Sequence, residues 1–312
     1  MKKLIASVIV LIVLAVAAMT FAVWRYPLAI FNLQNRRELA KAGFTQVRIP
    51  TDVGAQTVFE KGTGPTLILL HGAGDQAGSW SKAAPALAAT YHVLVLDLAG
   101  HGESAPSQGI LPLGTILKGI DGVIAAEAPN SKVTLVGNSL GAWMAIYYAH
   151  EHPEKVDRVI AIDGGPIRGE RPDLVNLPKD RAEAAKIFDA ILDPGSMHPA
   201  GFVLDDVVRQ AHDGPIGRMA AAGVPDMSKY LLDGKLAEFN TPVDLLWGES
   251  DRMIPIHYAE RMRDELIASR LTTIPRCGHV PQQECPGIFN RALTSVLNQP
   301  APQPRPVQAN TP

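Results

Sequence analysis

Ser139 stands in Gly137-Asn138-Ser139-Leu140-Gly141, where the flanking residue types suit a nucleophile. The apolar run Lys132 to Val136 precedes this pentapeptide, and Ser139 to His150 carries apolar residues at helical spacing. A G-x-S-x-G sequence between strand and helix makes a sharp elbow: residues without bulk flank the serine, and its hydroxyl is lifted over the sheet at a helix N-terminus. A Gly/Ser turn that merely caps a helix is written with the same letters, so the strand and helix around it carry the reading. A serine hydroxyl is a weak nucleophile and needs a base, which in turn needs a carboxylate to orient it. His279, in Cys277-Gly278-His279-Val280-Pro281, lies between the last strand-like and last helix-like segments and is the candidate base. Asp251 follows the apolar run ending at Trp247, within Gly248-Glu249-Ser250-Asp251-Arg252-Met253-Ile254-Pro255, and is the candidate acid. Asp163, after the run Arg158 to Ile162, and Glu249 are weaker alternatives for the acid.

These residues work together only if the chain brings three loops to one edge of a sheet, and its patterning does so. Phe44 to Ile49 and Ala55 to Glu60 read as an opening hairpin. Pro65 to Leu70, His92 to Leu96, Lys132 to Val136, Arg158 to Ile162, Val243 to Trp247 and Leu271 to Ile274 read as short buried strands. Ser79 to Ala89, Leu113 to Ala126, Ser139 to His150, Ile256 to Ala268 and Pro286 to Leu297 read as the helices between and after them. This alternation predicts a mostly parallel, doubly wound α/β sheet. From Pro166 to Asn240 it gives way to helical patterns alone, including Arg181 to Leu192 and Val203 to Ala211, which predicts a helical lid over residues 166–240.

With the elbow, the acid and the base in the order Ser, Asp, His, the chain resembles the α/β-hydrolase superfamily from Ile49 to Leu297. His71-Gly72-Ala73-Gly74 looks like that family's H-G-x-G loop, and Asp97-Leu98-Ala99-Gly100-His101-Gly102-Glu103-Ser104 looks like its D-x-x-G-x-G-x-S segment. The resemblance implies an oxyanion hole built from the backbone amides of Ala73 and Leu140. Two such donors supply about 3–4 kcal/mol each to an alkoxide-like transition state. It also implies acyl transfer through an acyl-enzyme, without metal or other cofactor. Carboxylic esters with small to medium hydrophobic groups are the first substrate reading, because the lid offers Phe188, Ile191, Leu192, Met197, Phe202, Val203, Met219 and Leu231. The same residues can instead form the lid's own core. The elbow, the Cys277-Gly278-His279 stretch and the His71 loop are also similar to those of meta-cleavage product hydrolases, which cut C–C bonds. Haloperoxidase and peptidase chemistry occur on this fold too, as do binding modules that have lost the triad. His71 and His101 are expected to brace their glycine turns, and Glu284 to cap the final helix.

Composition bounds the rest. The 312 residues carry 29 Lys+Arg against 31 Asp+Glu, and without Lys2, Lys3 and Arg25 the balance is 26 against 31, which argues against nucleic acid as a partner. Leu4 to Trp24 is an uncharged apolar run long enough to span a bilayer, with Trp24, Arg25 and Tyr26 as interfacial anchors. It predicts a single membrane helix at 1–26, or a signal segment cut near Ala15-Val16-Ala17. Arg25, Arg36, Arg37 and Lys41 outnumber Lys2 and Lys3 and would keep the domain cytoplasmic, whereas a signal-anchor of this form delivers it across the membrane; the extracytoplasmic orientation is the favoured reading. The catalytic core is then 27–165 with 241–298, and the proline-rich stretch 299–312 is expected to be disordered. Cys277 and Cys285 are too few for a disulfide framework and are either packing thiols or one disulfide of an extracytoplasmic domain.

Overall fold

The computed structural model describes residues 1–169 and 177–305. Eight strands form one sheet: β1 Thr45–Ile49, β2 Gln56–Lys61, β3 Thr66–Leu70, β4 His92–Leu96, β5 Val133–Asn138, β6 Val156–Ile162, β7 Val243–Gly248 and β8 Ser269–Ile274. Their order is β1-β2-β4-β3-β5-β6-β7-β8. The β1–β2 and β2–β4 pairs are antiparallel and the other five are parallel. From β3 the chain moves first toward β4 and then back past β3 to β5. That reversal opens a crevice at the carboxyl ends of β3 and β5, where ligands of open α/β sheets bind.

The helices are α1 Lys2–Arg25, α2 Pro27–Lys41, α3 Ala84–Leu87, α4 Leu113–Glu127, α5 Leu140–Glu151, α6 Arg181–Ile191, α7 Gly201–Ala211, α8 Pro215–Ala220, α9 Val224–Ser228, α10 Ile256–Glu265, α11 Pro281–Glu284 and α12 Pro286–Leu297. The central strands, such as β3 and β4, read as nearly continuous apolar runs because both faces are covered. Alternate residues serve opposite cores: Ile68, Leu70, Leu94 and Leu96 face one that includes α4, α5 and α10, while Leu67, Leu69, Val93 and Val95 face one that includes α3 and α12. Between β6 and β7 the described part of the lid is α6 to α9, with no strand among its described residues. Residues 170–176 of the expected lid lie outside those described.

Four sequence expectations need correction. The segment expected as one helix, Ser79 to Ala89, is a single tight turn at Ala77–Trp80 followed by the four-residue α3, because Pro85 cannot donate to a continuing helix. The Ile256 to Ala268 helix stops at Glu265 so that β8 can begin at Ser269. The stretch after α1, to which the sequence pattern assigns no element before Phe44, is the fifteen-residue α2, in which Leu39 is fully buried and Arg36 pairs with buried Asp97. The expected disordered tail is ordered as far as Arg305. There the backbone N–H donates to Ile267 C=O at 2.8 Å, and the guanidinium caps the end of α10 by donating to the carbonyls of Arg263, Asp264 and Leu266 at 2.6, 2.9 and 2.7 Å. Residues 306–312 lie outside the described residues.

Candidate active site

Ser139 is the single residue between β5 and α5, held at φ 53°. Such a conformation is costly for a residue with a Cβ and persists only where the surroundings fix it. Here Ser139 N–H donates to Ile162 C=O at 2.9 Å, and Ser139 C=O accepts from Trp143 N–H at 3.0 Å. The flanking glycines are required by space. A Cβ on Gly137 would fall inside 3.0 Å of the Gly141 carbonyl, and one on Gly141 inside 3.0 Å of the Leu70 carbonyl.

The loop after β8 brings His279 over this elbow, and the loop after β7 brings Asp251 behind it. His279 Nε2 is 2.8 Å from Ser139 Oγ, and His279 Nδ1 is 2.7 Å from Asp251 Oδ2. His279 and Asp251 are 6% and 3% exposed, so water competes little for either bond. The other Asp251 oxygen accepts the N–H groups of Met253 and Ile254 at 2.8 and 2.9 Å. With Oδ1 saturated by two donors, Oδ2 is left to accept from Nδ1–H. That tautomer leaves Nε2 free to take the serine proton.

The loop after β3 supplies the third wall. A Cβ on Gly72 would lie 3.4 Å from the Ser139 Cβ, so the backbone passes directly over Ser139. The Ala73 and Leu140 N–H groups have no protein acceptor among the described residues, and the Leu140 amide is a free one of the first helical turn. His71 braces this loop: its Nδ1 is 2.7 Å from Gly72 C=O and its Nε2 accepts from Leu98 N–H at 3.0 Å. Burial lowers His71 to about 4 and His101 to about 3, so both are neutral near pH 7. Asp97 holds the neighbouring turn through Ala77 N–H at 2.7 Å and Glu103 N–H at 2.9 Å. Asp75 bridges the loop to α11 by accepting from Gln283 Nε2 at 2.6 Å; burial pushes its carboxyl up to about 7.

Three positions correct or extend the sequence reading. Glu284 does not cap α12; it accepts from Gly278 N–H at 2.6 Å, Asp193 N–H at 2.6 Å and Ser196 Oγ at 2.5 Å, so it fastens the His279 loop to the lid. Asn138, inside the elbow, donates to His279 C=O at 2.9 Å and accepts from Gln282 Nε2 at 3.0 Å. The spacing of the elbow motif gives no signal for this role, because position two of the motif is variable; only the fold reveals what it faces. Cys277 and Cys285 are joined by a disulfide that closes the loop carrying His279. Of the alternative acids, Glu249 points outward to Thr273 Oγ1. Asp163 is fully buried and accepts from Gly248 N–H at 2.8 Å, and burial, then the charge of Asp251, holds its carboxyl well above the usual range. The contact to His279 Nδ1 is made by Asp251, whereas Asp163 is taken up by Gly248 N–H.

The family model "Alpha/beta hydrolase family" matches residues 67–292, most of the chain. The chain is a member of the alpha/beta hydrolase family. Among curated relatives of this hydrolase is the 2-hydroxy-6-oxononadienedioate/2-hydroxy-6-oxononatrienedioate hydrolase of Cupriavidus pinatubonensis, 27% identical over 295 residues, covering 84% of this chain and 95% of that one. Among solved structures, one described as a membrane phospholipase A and bacterial virulence factor is 26% identical with a TM-score of 0.73, covering 95% of this chain and 98% of that one. The carboxylesterase CesB of Bacillus subtilis, at 19% identity, TM-score 0.65, and coverage of 86% of this chain and 98% of that one, shares the fold.

Proposed function

We propose that this alpha/beta hydrolase is a membrane-anchored serine ester hydrolase with Ser139 as nucleophile, His279 as general base and Asp251 as the acid that orients it. The observation that carries the reading is the continuous chain of 2.8 and 2.7 Å contacts from Ser139 Oγ through His279 to Asp251, beside the free amides of Ala73 and Leu140. His279 takes the Ser139 proton as Oγ attacks the ester carbonyl, and the amides receive the oxyanion. The imidazolium then protonates the leaving alcohol. Water, deprotonated by His279, releases the acid and restores Ser139. No step calls on a metal or other cofactor.

Several features support a hydrophobic ester drawn from or near a bilayer. Lys3–Arg25 is long and apolar enough to cross a membrane and has none of its length buried against the domain. The structural relative at 26% identity is named a membrane phospholipase A. The Cys277–Cys285 disulfide suits an oxidising, extracytoplasmic compartment. In the lid, Phe188, Ile191, Leu192, Phe202 and Val203 are half-buried and therefore available to line an acyl site, while Met197, 95% exposed, is not part of it. The names of curated relatives favour a second reading, hydrolysis of a C–C bond in a dienoic acid. The test is kcat/KM across p-nitrophenyl esters of two to twelve carbons beside a dienoic C–C substrate, with fluorophosphonate labelling of Ser139 as the readout of an activated serine. A dienoic rate above every ester replaces the first reading with the second.

A further inference from the structure

The lid helix α7 contains a buried acid, Asp206, that reaches beyond its own helix. Asp206 is 2% exposed, and a buried carboxylate is costly unless charged or hydrogen-bonding groups meet it. One partner lies at the break between α1 and α2, and the other, Arg209 on α7 itself, reaches that break in turn. Asp206 Oδ2 accepts Leu28 N–H at 3.1 Å, an amide of the first turn of α2, where the preceding Tyr26 provides no side-chain cap. Asp206 Oδ1 accepts from Arg209 Nη2 at 3.1 Å, and that nitrogen also donates to Arg25 C=O at 2.7 Å, at the end of α1. Residues three apart share one face of a helix. That face of α7 therefore supplies an acceptor for the N-terminus of α2 and a donor for the C-terminus of α1, each matching the sign of the helix end it meets.

The opposite end of the same connection reaches the active site. Asp205 on α7 and Arg181 on α6 form a two-pronged ion pair, Nε to Oδ1 at 2.9 Å and Nη2 to Oδ2 at 2.6 Å. The C-terminus of α6 is capped by the two loops that hold the acid and the base. His279 N–H donates to Ile191 C=O at 2.7 Å, and Arg252 N–H to Ala190 C=O at 3.0 Å. The Arg252 guanidinium adds bonds to the carbonyls of Asp189 and, at 3.1 Å, Leu192. His279 thus has its ring on Ser139 and its backbone on the lid.

We infer that Asp206 and Arg209 are positioning residues that clip the lid to the α1–α2 break and so hold the end of α6 against the His279 and Asp251 loops, making turnover depend on the anchor junction. The inference rests on the serine-hydrolase and anchor readings proposed above. Tyr26 is the one residue between the apolar span and α2, so a change of angle there pulls on both caps together. Losing them frees α7, and through α6 it loosens the carbonyl that holds His279 N–H.

The experiment uses the full-length protein in phosphatidylcholine vesicles, comparing Asp206→Ala, Arg209→Met, the double variant and, as control, Asp213→Ala on the exposed lid surface. Turnover of p-nitrophenyl butyrate and hydrogen exchange are read together. Each clip variant lowers kcat/KM about five- to tenfold, the range of ordinary site-to-site coupling, and the double variant is no worse than the more damaging single one. Exchange accelerates in peptides covering 189–192 and 277–285, stays unchanged in β3 to β7, and Asp213→Ala behaves as wild type. Wild-type turnover and exchange in the clip variants overturn the inference, and so does faster exchange spread evenly over the sheet. The underlying readings fail differently: a wild-type Ser139 inert to fluorophosphonate removes the hydrolase, and a full-length chain found free of vesicles removes the anchor. In either case the exchange of 189–192 and 277–285 still decides the clip.

Discussion

Replacing Asp251 by Asn tests the assignment of the acid with almost no change of shape. In the native arrangement Oδ1 accepts two backbone N–H groups and Oδ2 accepts from His279 Nδ1. An asparagine has one acceptor and one donor end, and each way of placing it costs something definite. If its oxygen keeps Met253 and Ile254, its NH2 faces Nδ1. The imidazole must then carry its proton on Nε2, where it cannot accept the Ser139 proton. If the amide turns so that its oxygen faces Nδ1, the NH2 meets the two backbone N–H groups, losing two buried hydrogen bonds at about 1–3 kcal/mol each. The total, about 2–6 kcal/mol, corresponds to a loss in kcat/KM of roughly thirtyfold to twenty-thousandfold at about 1.4 kcal/mol per decade. Asp163→Asn is the contrasting variant. Burial and then the charge of Asp251 push the Asp163 carboxyl well above its usual range, and its contact is Gly248 N–H and not His279, so the near-isosteric amide keeps turnover within about fivefold. The assay is kcat/KM on p-nitrophenyl butyrate, with circular dichroism to verify folding. A near-normal Asp251→Asn beside an inactive, folded Asp163→Asn refutes the assignment.

Ser139→Ala and His279→Ala each abolish nearly all turnover, and the double variant is no slower than either alone, because the two act as one unit; single-turnover kinetics show it. The full-length chain stays with membranes through a high-salt wash, whereas a chain shortened to begin at Pro27, which keeps all of α2, is released; sedimentation decides. Acid pH destabilises through His71 and His101. Their folded values, about 4 and about 3, lie below the ordinary 6.5, so the unfolded chain binds protons that the native one refuses, and stability present above pH 6.5 is lost as pH falls toward 3. Asp75, raised to about 7, works the other way and loses stability as pH rises from about 4 to 7. Urea midpoints at pH 4, 5.5 and 7 therefore give a shallower acid limb for His101→Gln and a steeper one for Asp75→Asn.

The parts of this molecule that the sequence made legible are those where a single local requirement dictates residue type. The elbow is legible because only glycine fits where Gly137 and Gly141 press on neighbouring backbone. The central strands β3 to β7 are legible because burial on both faces leaves mostly apolar residues. Helix α2 was not, since its stripe of buried residues is reduced to Pro27 and Leu39 and its main tie is one ion pair to Asp97, sixty-one residues away. The turn at Ala77–Trp80 and the short α3 were read as one helix for the converse reason: their apolar residues have helical spacing, but the spacing reflects packing on the sheet and not a continuous hydrogen-bond ladder.

Glu284 shows the same limit from the side of chemistry. An acid at the start of a helix suits that helix's own free amides, and local sequence can rank no other partner above them. In the folded chain three donors from elsewhere reach it: the amides of Gly278 and Asp193 and the hydroxyl of Ser196. Asn138 is likewise taken by His279 C=O and Gln282, and Asp206 by Leu28 N–H. Each of these polar groups meets at least one partner that the sequence places far from it, and each joins the His279 loop or the lid to another part of the chain. The residues proposed to do chemistry are therefore those a motif singles out, while the residues that hold them in register are found only by asking where each buried polar atom is satisfied.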